Sequence, residues 1–242
     1  MHPFSRPLFA LLAMFLLLAG CASKDTQQPA PTQVRQFAFS GIMVSEIIDS
    51  PLTFQTSMWP DIERYPRLAD MPGGTFETSV KTFLVRAGQR VVLIDGGVGD
   101  EHYVTKGDTL ATLRSPGIQP GDVTDILMTH LDVDHVGGLV SGRNAVYPNA
   151  ALHVSRQEYE AWVNDRGLVN REPQHKALAR DIVLPAYANR LRLFDFGEAV
   201  LPGMVAVDAT GHTPGHTAYA IASGDKGMLV AGSLYWYRCL QS

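Results

Sequence analysis

The chain has 242 residues, a formal net charge of −4 and 45% hydrophobic residues, which suits one sizeable domain with a buried core, or two small ones. No basic stripe is present, so nothing indicates a nucleic-acid partner. The 22 glycines and 15 prolines are typical of a loop-rich enzyme rather than a helical bundle.

The N-terminal residues have the pattern of a secretory signal peptide. A basic start precedes an apolar run from Leu8 to Ala19, which is too short to span a bilayer comfortably. The run ends in Leu-Ala-Gly-Cys at Cys21, which resembles the bacterial lipobox, where the cysteine is lipidated. The alternative is an ordinary cleaved signal with an incidental cysteine.

This reading divides the chain into a signal peptide (1–20), a lipidated flexible tether (21–35) and a folded domain (36–242). Lipidation would tether a soluble domain to a membrane without embedding it. We therefore expect an exported protein on the periplasmic side of a bacterial membrane, and by the lipoprotein sorting pattern Ala22 favours the outer membrane. Cys21 and Cys239 are the only cysteines, so no disulfide framework is expected.

Strands and one long loop are predicted in the first half of the chain. Gln36–Ile48 is rich in aromatic and β-branched residues and predicts a strand or hairpin. Asp49–Gly74 is long and weakly periodic, which predicts a packed loop over a site, with Trp59, Tyr65 and Met71 as an apolar lid. Val80–Gly97 predicts two strands joined at Ala87-Gly88-Gln89.

Helices are interspersed among the predicted strands from residue 107 onwards, and the last predicted elements are strands. Gly107–Ile118 predicts a short helix, and Val123–His130 predicts a buried strand. Ala151–Gly167 predicts a strand and then a helix, with Ser155 as the N-cap and Glu158 completing a capping box. The remaining predicted strands are Leu191–Gly197, Met204–His212 and a hairpin around Gly224-Asp225-Lys226. This order favours two face-to-face sheets with helices outside.

A dense group of possible metal ligands follows the strand that ends at Thr129. His130, Asp132 and Asp134 are spaced two apart, and in a loop at a strand end their side chains can converge. His135 is adjacent, and two glycines behind it let the backbone turn closely. Imidazoles and carboxylates at this density suit zinc, iron or manganese. The alternative is a polar loop at a strand end, whose histidines are there by chance and bind no metal.

A second histidine pair lies in Ala209–Thr217, again after an apolar strand. Gly211, Pro214 and Gly215 specify a tight turn there. We predict that His212 is a ligand and that His216 has a supporting or structural role. A turn with capping histidines is the alternative.

Three motifs together resemble the metallo-β-lactamase-fold hydrolases: LIDGG (Leu93–Gly97), THLDVDHVGG (Thr129–Gly138) and TGHTPGHT (Thr210–Thr217). The resemblance covers roughly Phe37 to Trp236. It implies an α/β (α+β) fold, an αβ/βα sandwich with the metal site at one edge between the two sheets. The family pattern T-H-x-H-x-D-H matches His130, Asp134 and His135.

The same resemblance assigns the other site residues. It makes His212 the later histidine ligand and Asp95 the acidic residue beneath the site. Asp132 stands where the family usually has a histidine, and Ser233 where it has an aspartate that bridges two metals. The family also has a further histidine ligand downstream, so the resemblance predicts that the C-terminal elements are missing, either naturally or because the sequence is incomplete.

These departures predict that a first metal site can fill, whereas a second is weak or empty. The first would use His130, Asp132 and His212, a set that suits zinc or Fe(II). The second would have only Asp134 and His135. Metal-assisted hydrolysis would follow, in which the cation lowers the pKa of its water towards ~7. Asp134 would orient that water or take its proton, and His135 would hydrogen-bond the developing oxyanion.

The function expected is hydrolysis of an ester, a lactone or a related bond in a small molecule, with one or two zinc ions. Tyr235 and Trp236 would line the pocket or belong to the core. The rival hypothesis is a truncated or degenerate, non-catalytic member that acts as a periplasmic binding or scaffold lipoprotein. The fold alone does not choose among the family's substrates.

Overall fold

Two large β-sheets, a two-stranded sheet formed by residues 140–141 and 144–145, and a set of helices are found in the part of the chain that the computed structural model describes, residues 34–58, 72–100, 105–114, 117–169 and 171–233. All of these residues belong to one unit, Pro31–Ser242. The strands are β1 (Val34–Phe39), β2 (Ile42–Gln55), β3 (Thr75–Ala87), β4 (Arg90–Ile94), β5 (Asp125–Leu127), β6 (Val140–Ser141), β7 (Asn144–Ala145), β8 (Ala151–Ser155), β9 (Leu191–Phe194), β10 (Ala199–Leu201), β11 (Met204–Asp208), β12 (Thr217–Ser223) and β13 (Lys226–Val230). The helices are α1 (Thr109–Arg114), α2 (Val133–Val136), α3 (Arg156–Val163), α4 (Pro173–Ala177), the π-helical segment Leu178–Val183, and α5 (Leu184–Ala186).

The larger sheet has seven strands in the order β1-β2-β3-β4-β5-β8-β9. Pairing is antiparallel from β1 to β4 and parallel from β4 to β9. The carboxyl ends of parallel strands meet at one sheet edge, where ligands usually bind. Ile94 pairs with Leu127 at the ends of β4 and β5, so the segments after these strands, which hold Asp95 and His130, start side by side.

Alternation along the central strands separates two cores. Val92 and Ile94 face the four-stranded sheet (order β10-β11-β12-β13), whereas Leu93 faces the helical side. Tyr219 belongs to the core between the two sheets, and Trp162, on α3, belongs to the core on the helical side. Both side chains are almost fully buried. The two sheets with helices packed on the larger one confirm the predicted mixed α/β sandwich.

The long loop predicted from Asp49 is wrong at its start, because β2 continues to Gln55 and β3 begins at Thr75. The pairing of β1 with β2 ends at Ile47, so Pro51, which has no N–H to donate, lies where no described strand pairs with that edge of β2. The proposed lid residues Trp59, Tyr65 and Met71 lie outside the described residues, as do Cys21, Tyr235, Trp236 and Cys239.

The other predicted elements are present. The early hairpin, the strand pair joined at Ala87-Gly88-Gln89 and the late hairpin at Gly224 are all found. The Ser155 hydroxyl caps α3 by accepting from the Glu158 backbone N–H at 3.1 Å. The predicted capping box is half right, because the Glu158 carboxylate binds other partners. Within the described ranges, no helix has the length and apolar character needed to cross a bilayer.

Candidate metal centre

Asp95 lies directly after β4 and organises the base of the site. Its backbone φ of 61° is left-handed, a conformation that is uncommon outside glycine and is concentrated at functional sites. The buried carboxylate accepts hydrogen bonds from the Thr129 backbone N–H at 2.8 Å, the Thr129 hydroxyl at 2.7 Å and His135 Nδ1 at 2.9 Å. Burial would raise the pKa of Asp95, but the charge and hydrogen bond of His135 hold it below its ordinary value.

The Thr129 hydroxyl fixes the tautomer of His130. Because this hydroxyl donates its one proton to Asp95, it accepts the 2.9 Å hydrogen bond from His130 Nδ1. Nε2 of His130 therefore carries a free lone pair, and it is buried with no hydrogen-bond partner among the described residues. Burial, together with the charge of His135, lowers the pKa of His130 to about 4. A buried imidazole with an unpaired acceptor nitrogen fits a metal ligand.

His130, Asp132 and His212 form a three-ligand cluster. One ligand atom from each lies within 4.8 Å of the others, and no other such cluster occurs in the described part of the chain. Asp132 Oδ2 is 3.0 Å from His212 Nε2 and 3.4 Å from His130 Nε2. Two imidazoles and a carboxylate form a common catalytic zinc set, which also suits Fe(II). The residues present therefore fit a divalent metal.

Asp134 and His135 lie together beside this cluster. His135 Nε2 is 3.5 Å from Asp134 Oδ2, while its other nitrogen is held by Asp95. Burial would lower the pKa of His135, but the charges of Asp134 and Asp95 raise it well above its ordinary value. The rings of His130 and His135 are 4.1 Å apart at their centroids. A proton on His135 is thus favoured between two carboxylates when no metal is bound.

His216 and Ser233 are joined through the backbone. His216 Nε2 accepts from the Ser233 N–H at 3.0 Å, and Nδ1 donates to the Ala209 carbonyl at 3.1 Å. Both ring nitrogens are used, which leaves no lone pair for a metal and matches a supporting role. A Cβ on Gly232, whose φ is +54°, would lie 2.8 Å from His216 Nε2. The close approach of this segment to the histidine therefore requires glycine.

A sequence model of the metallo-β-lactamase superfamily matches residues 76–239, more than half of the chain and all of the site described above. The chain belongs to the metallo-β-lactamase superfamily. This confirms the resemblance that its motifs indicated.

Curated relatives in the superfamily are distant. A protein named "Probable metallo-hydrolase" from Mycobacterium tuberculosis is 25% identical over 187 residues, 64% of this chain and 56% of the relative. An N-acyl homoserine lactonase from Bacillus cereus is 23% identical over 178 residues, 66% of this chain and 64% of the relative. The chain thus spans between about half and two thirds of the length of these relatives.

Solved structures show the same fold. AidC, described as a dizinc quorum-quenching lactonase, superposes with a TM-score of 0.71 and 23% identity, over 82% of this chain and 73% of that one. The hydrolase AbOPH superposes with a TM-score of 0.69 and 24% identity, over 82% and 72% of the two chains. At these identities the comparison supports the fold alone.

Two residues that join the ligand-bearing segments were not predicted. The Glu158 carboxylate accepts hydrogen bonds from the Leu131 and Gly215 backbone N–H groups, at 3.0 and 2.9 Å. It also accepts from the Trp162 indole and the Thr213 hydroxyl, both at 2.7 Å. One buried side chain therefore holds the segment around His130 against the turn that carries His212.

Arg171 is the second unpredicted residue. Its Nε and Nη2 donate to the two oxygens of Asp132 at 2.7 and 2.8 Å, and Nη2 also donates to the His212 carbonyl at 3.0 Å. No motif surrounds Arg171 in the sequence. The one available signal was indirect, namely that an aspartate in a histidine position adds a negative charge that needs a cation.

Proposed function

We propose that this chain is a metal-dependent hydrolase that uses one divalent cation, zinc, held by His130, Asp132 and His212. The observation that carries the proposal is the buried Nε2 of His130, which has no hydrogen-bond partner among the described residues and lies close to Asp132 Oδ2 and His212 Nε2. A polar atom left unsatisfied in a folded interior is costly, and a metal ion would satisfy it. The names of distant relatives, "Probable metallo-hydrolase", support the metal-dependent hydrolase part of this proposal.

A zinc ion at this position would acidify a bound water and polarise the bond to be cleaved. Asp134, whose side chain is 24% exposed, would orient the attacking water and accept its proton. Burial would raise the pKa of Asp134, but the charge of His135 lowers it, so the carboxylate is ionised near neutral pH. His135, held by Asp95 through Nδ1, presents Nε2 to the developing oxyanion.

The proposal specifies a single ion because only one three-ligand cluster is found among the described residues. Asp134 and His135 offer two ligands, and Ser233 contributes its backbone N–H to His216 rather than a carboxylate to a second metal. Two protein ligands seldom hold a catalytic metal tightly. Asp134 and His135 thus remain free for proton transfer and oxyanion binding.

We propose an ester or lactone as the substrate class, since several relatives are named N-acyl homoserine lactonases. The test is hydrolysis of N-acyl homoserine lactones, aryl esters and a phosphotriester by metal-free protein reloaded with zinc, followed with a pH indicator. We expect zinc-dependent turnover of a lactone or ester, and loss of turnover in His212→Ala. His175→Ala, at a histidine on α4 that lies outside the cluster, is the matched control.

Zinc binding without turnover of any of these substrates would instead support the non-catalytic binding or scaffold role. We further propose that Cys21 anchors the mature chain to the periplasmic side of a membrane, because it ends a lipobox-like signal.

A further inference from the structure

Arg171 binds Asp132, one of the three proposed metal ligands, and it lies outside the three motifs that resemble the superfamily. The guanidinium binds both carboxylate oxygens side-on, at 2.7 and 2.8 Å. Both side chains are largely shielded from solvent, with 17% and 13% exposure. Bidentate, shielded Arg–carboxylate pairs fix orientation as well as charge.

Two further hydrogen bonds hold Arg171 itself in place. Nη2 donates to the His212 carbonyl at 3.0 Å, and Nη1 donates to the Val169 carbonyl at 2.9 Å. Arg171 therefore links two proposed ligands, Asp132 through its side chain and His212 through its backbone. Asp132 occupies the N-cap position of α2 but makes no capping hydrogen bond, so its carboxylate is free for this arrangement.

The carboxylate retains capacity for a cation on its other side. An ionised carboxylate has about four lone-pair sites, and Arg171 takes one on each oxygen. Oδ2 also lies 3.4 Å from His130 Nε2 and 3.0 Å from His212 Nε2. Oδ2 is thus bound by Arg171 and also lies close to both imidazoles, so Arg171 fixes the carboxylate oxygen that is nearest to the other two proposed ligands.

We propose that Arg171 is a positioning residue that makes Asp132 equivalent in charge to the histidine usual at its position. The guanidinium cancels the charge of the aspartate, so His130, Asp132 and His212 with Arg171 carry the same formal charge as three neutral imidazoles. Residues 132 and 171 then act as one unit, and changing either one alone alters the total charge around the metal. This inference rests on the proposed function, because it requires a metal at the cluster.

The test is a double-mutant cycle on zinc affinity, measured by competition with a chromophoric chelator on metal-free protein. The proteins are the wild type, Asp132→His, Arg171→Met and the double variant D132H/R171M. We expect D132H to bind zinc at least about tenfold more weakly than the wild type, because Arg171 is left as an unpaired cation beside the metal. Adding R171M to D132H should recover about tenfold or more.

In the wild-type background the same Arg171→Met change should give no gain beyond about threefold, because the loss of orientation opposes the removal of positive charge. D132H/R171K keeps the positive charge but not the paired donors of the guanidinium, and it should bind zinc as weakly as D132H. Arg180→Met removes another side-on Arg–Asp pair, with Asp181 on the surface, and should leave zinc affinity unchanged.

Equal effects of Arg171→Met on zinc affinity in the two backgrounds would overturn the inference. A tenfold gain in zinc affinity from Arg171→Met alone would also overturn it, because Arg171 would then compete with the metal. Circular dichroism of each metal-free variant shows whether it is folded, so that a loss of zinc affinity is not mistaken for misfolding. If the wild type binds no zinc, the proposed function fails as well. If it binds zinc and the cycle shows no coupling, the inference alone fails.

Discussion

Asp95 and His135 are joined by a 2.9 Å hydrogen bond between Oδ2 and Nδ1, directly beneath the proposed metal ligands. Each hydrogen bond that the Asp95 carboxylate makes with the described residues comes from a donor, because its other partners are the backbone N–H and the hydroxyl of Thr129. This carboxylate therefore sets both ring orientations at once. His135 is held directly, and His130 is held through the Thr129 hydroxyl.

Asp95→Asn should lower the free energy of unfolding of the metal-free protein by about 2–3 kcal/mol, because the new NH₂ group would face a donor. Asparagine also tolerates left-handed φ, so the change isolates the hydrogen bonds from the backbone conformation. Urea unfolding in the presence of a chelator measures this change in the free energy of unfolding. Asp165→Asn, at an exposed left-handed aspartate, is the control and should cost less than about 1 kcal/mol. Equal costs would show that Asp95 has no special role.

Glu158→Gln should lower the free energy of unfolding by about 2–4 kcal/mol, since an amide cannot accept the hydrogen bonds of Leu131, Trp162, Thr213 and Gly215 together. It should also weaken zinc binding, because the segments bearing His130 and His212 lose their common anchor. The matched control is Glu160→Gln on the exposed side of the same helix. Destabilisation with unchanged zinc affinity would limit Glu158 to a role in folding.

The strands and proposed ligands of the site could be predicted because they follow local sequence patterns. The residues that hold those ligands in place could not, because no local pattern marks them. The apolar run that forms β4 is visible within the strand itself, and the four ligand-type residues His130, Asp132, Asp134 and His135 lie within six positions of the sequence. Arg171 is 39 residues from Asp132 and carries no motif. Such a contact depends on how α3 and the following segment return to the sheet edge, which no local pattern encodes.

Glu158 shows the same limit in a different form. Its spacing from Ser155 predicted a local capping role, and its backbone N–H does bind the Ser155 hydroxyl. Its carboxylate instead finds partners up to 57 residues away, at Gly215. Burial decides between the two roles, because a buried carboxylate requires several donors that the helix start alone cannot supply.

The stability of the metal-free protein should fall as the pH drops below neutral, and His216 should contribute to this fall. Burial lowers the pKa of His216 to about 3 in the folded protein, whereas an unfolded histidine has a pKa of about 6.5. As the pH falls through this window, the unfolded chain binds a proton that the folded chain does not. The free energy of unfolding then decreases, by up to about 1.4 kcal/mol per pH unit for one group.

His216→Ala should therefore reduce this slope between about pH 5.5 and 4.5 by roughly one proton. Urea unfolding of both proteins over a pH series, with a chelator present, gives the slopes. His130 has its pKa lowered to about 4 and acts in the same direction, so part of the slope remains in the variant. An unchanged slope would mean that His216 is protonated in the folded state.

Cys21→Ser should abolish the proposed acylation and lower the share of the protein that is recovered with membranes, because the proposed acyl anchor would have no attachment site. Fractionation of cells that express the wild type and the variant, with labelled palmitate, measures this. We expect label only in the wild type. Release of unlabelled wild-type protein into the soluble fraction would support an ordinary cleaved signal peptide.

The most direct test of a single-zinc hydrolase is a zinc titration of metal-free protein, with hydrolysis of the best lactone or ester substrate as the readout. Activity should rise linearly and level off at about one zinc per chain, and Asp134→Asn should bind the same zinc with kcat about 10²–10⁴ lower. His212→Ala should neither bind zinc tightly nor become active. Full activity in excess chelator, or activity that appears only beyond the first equivalent of zinc, would contradict the account.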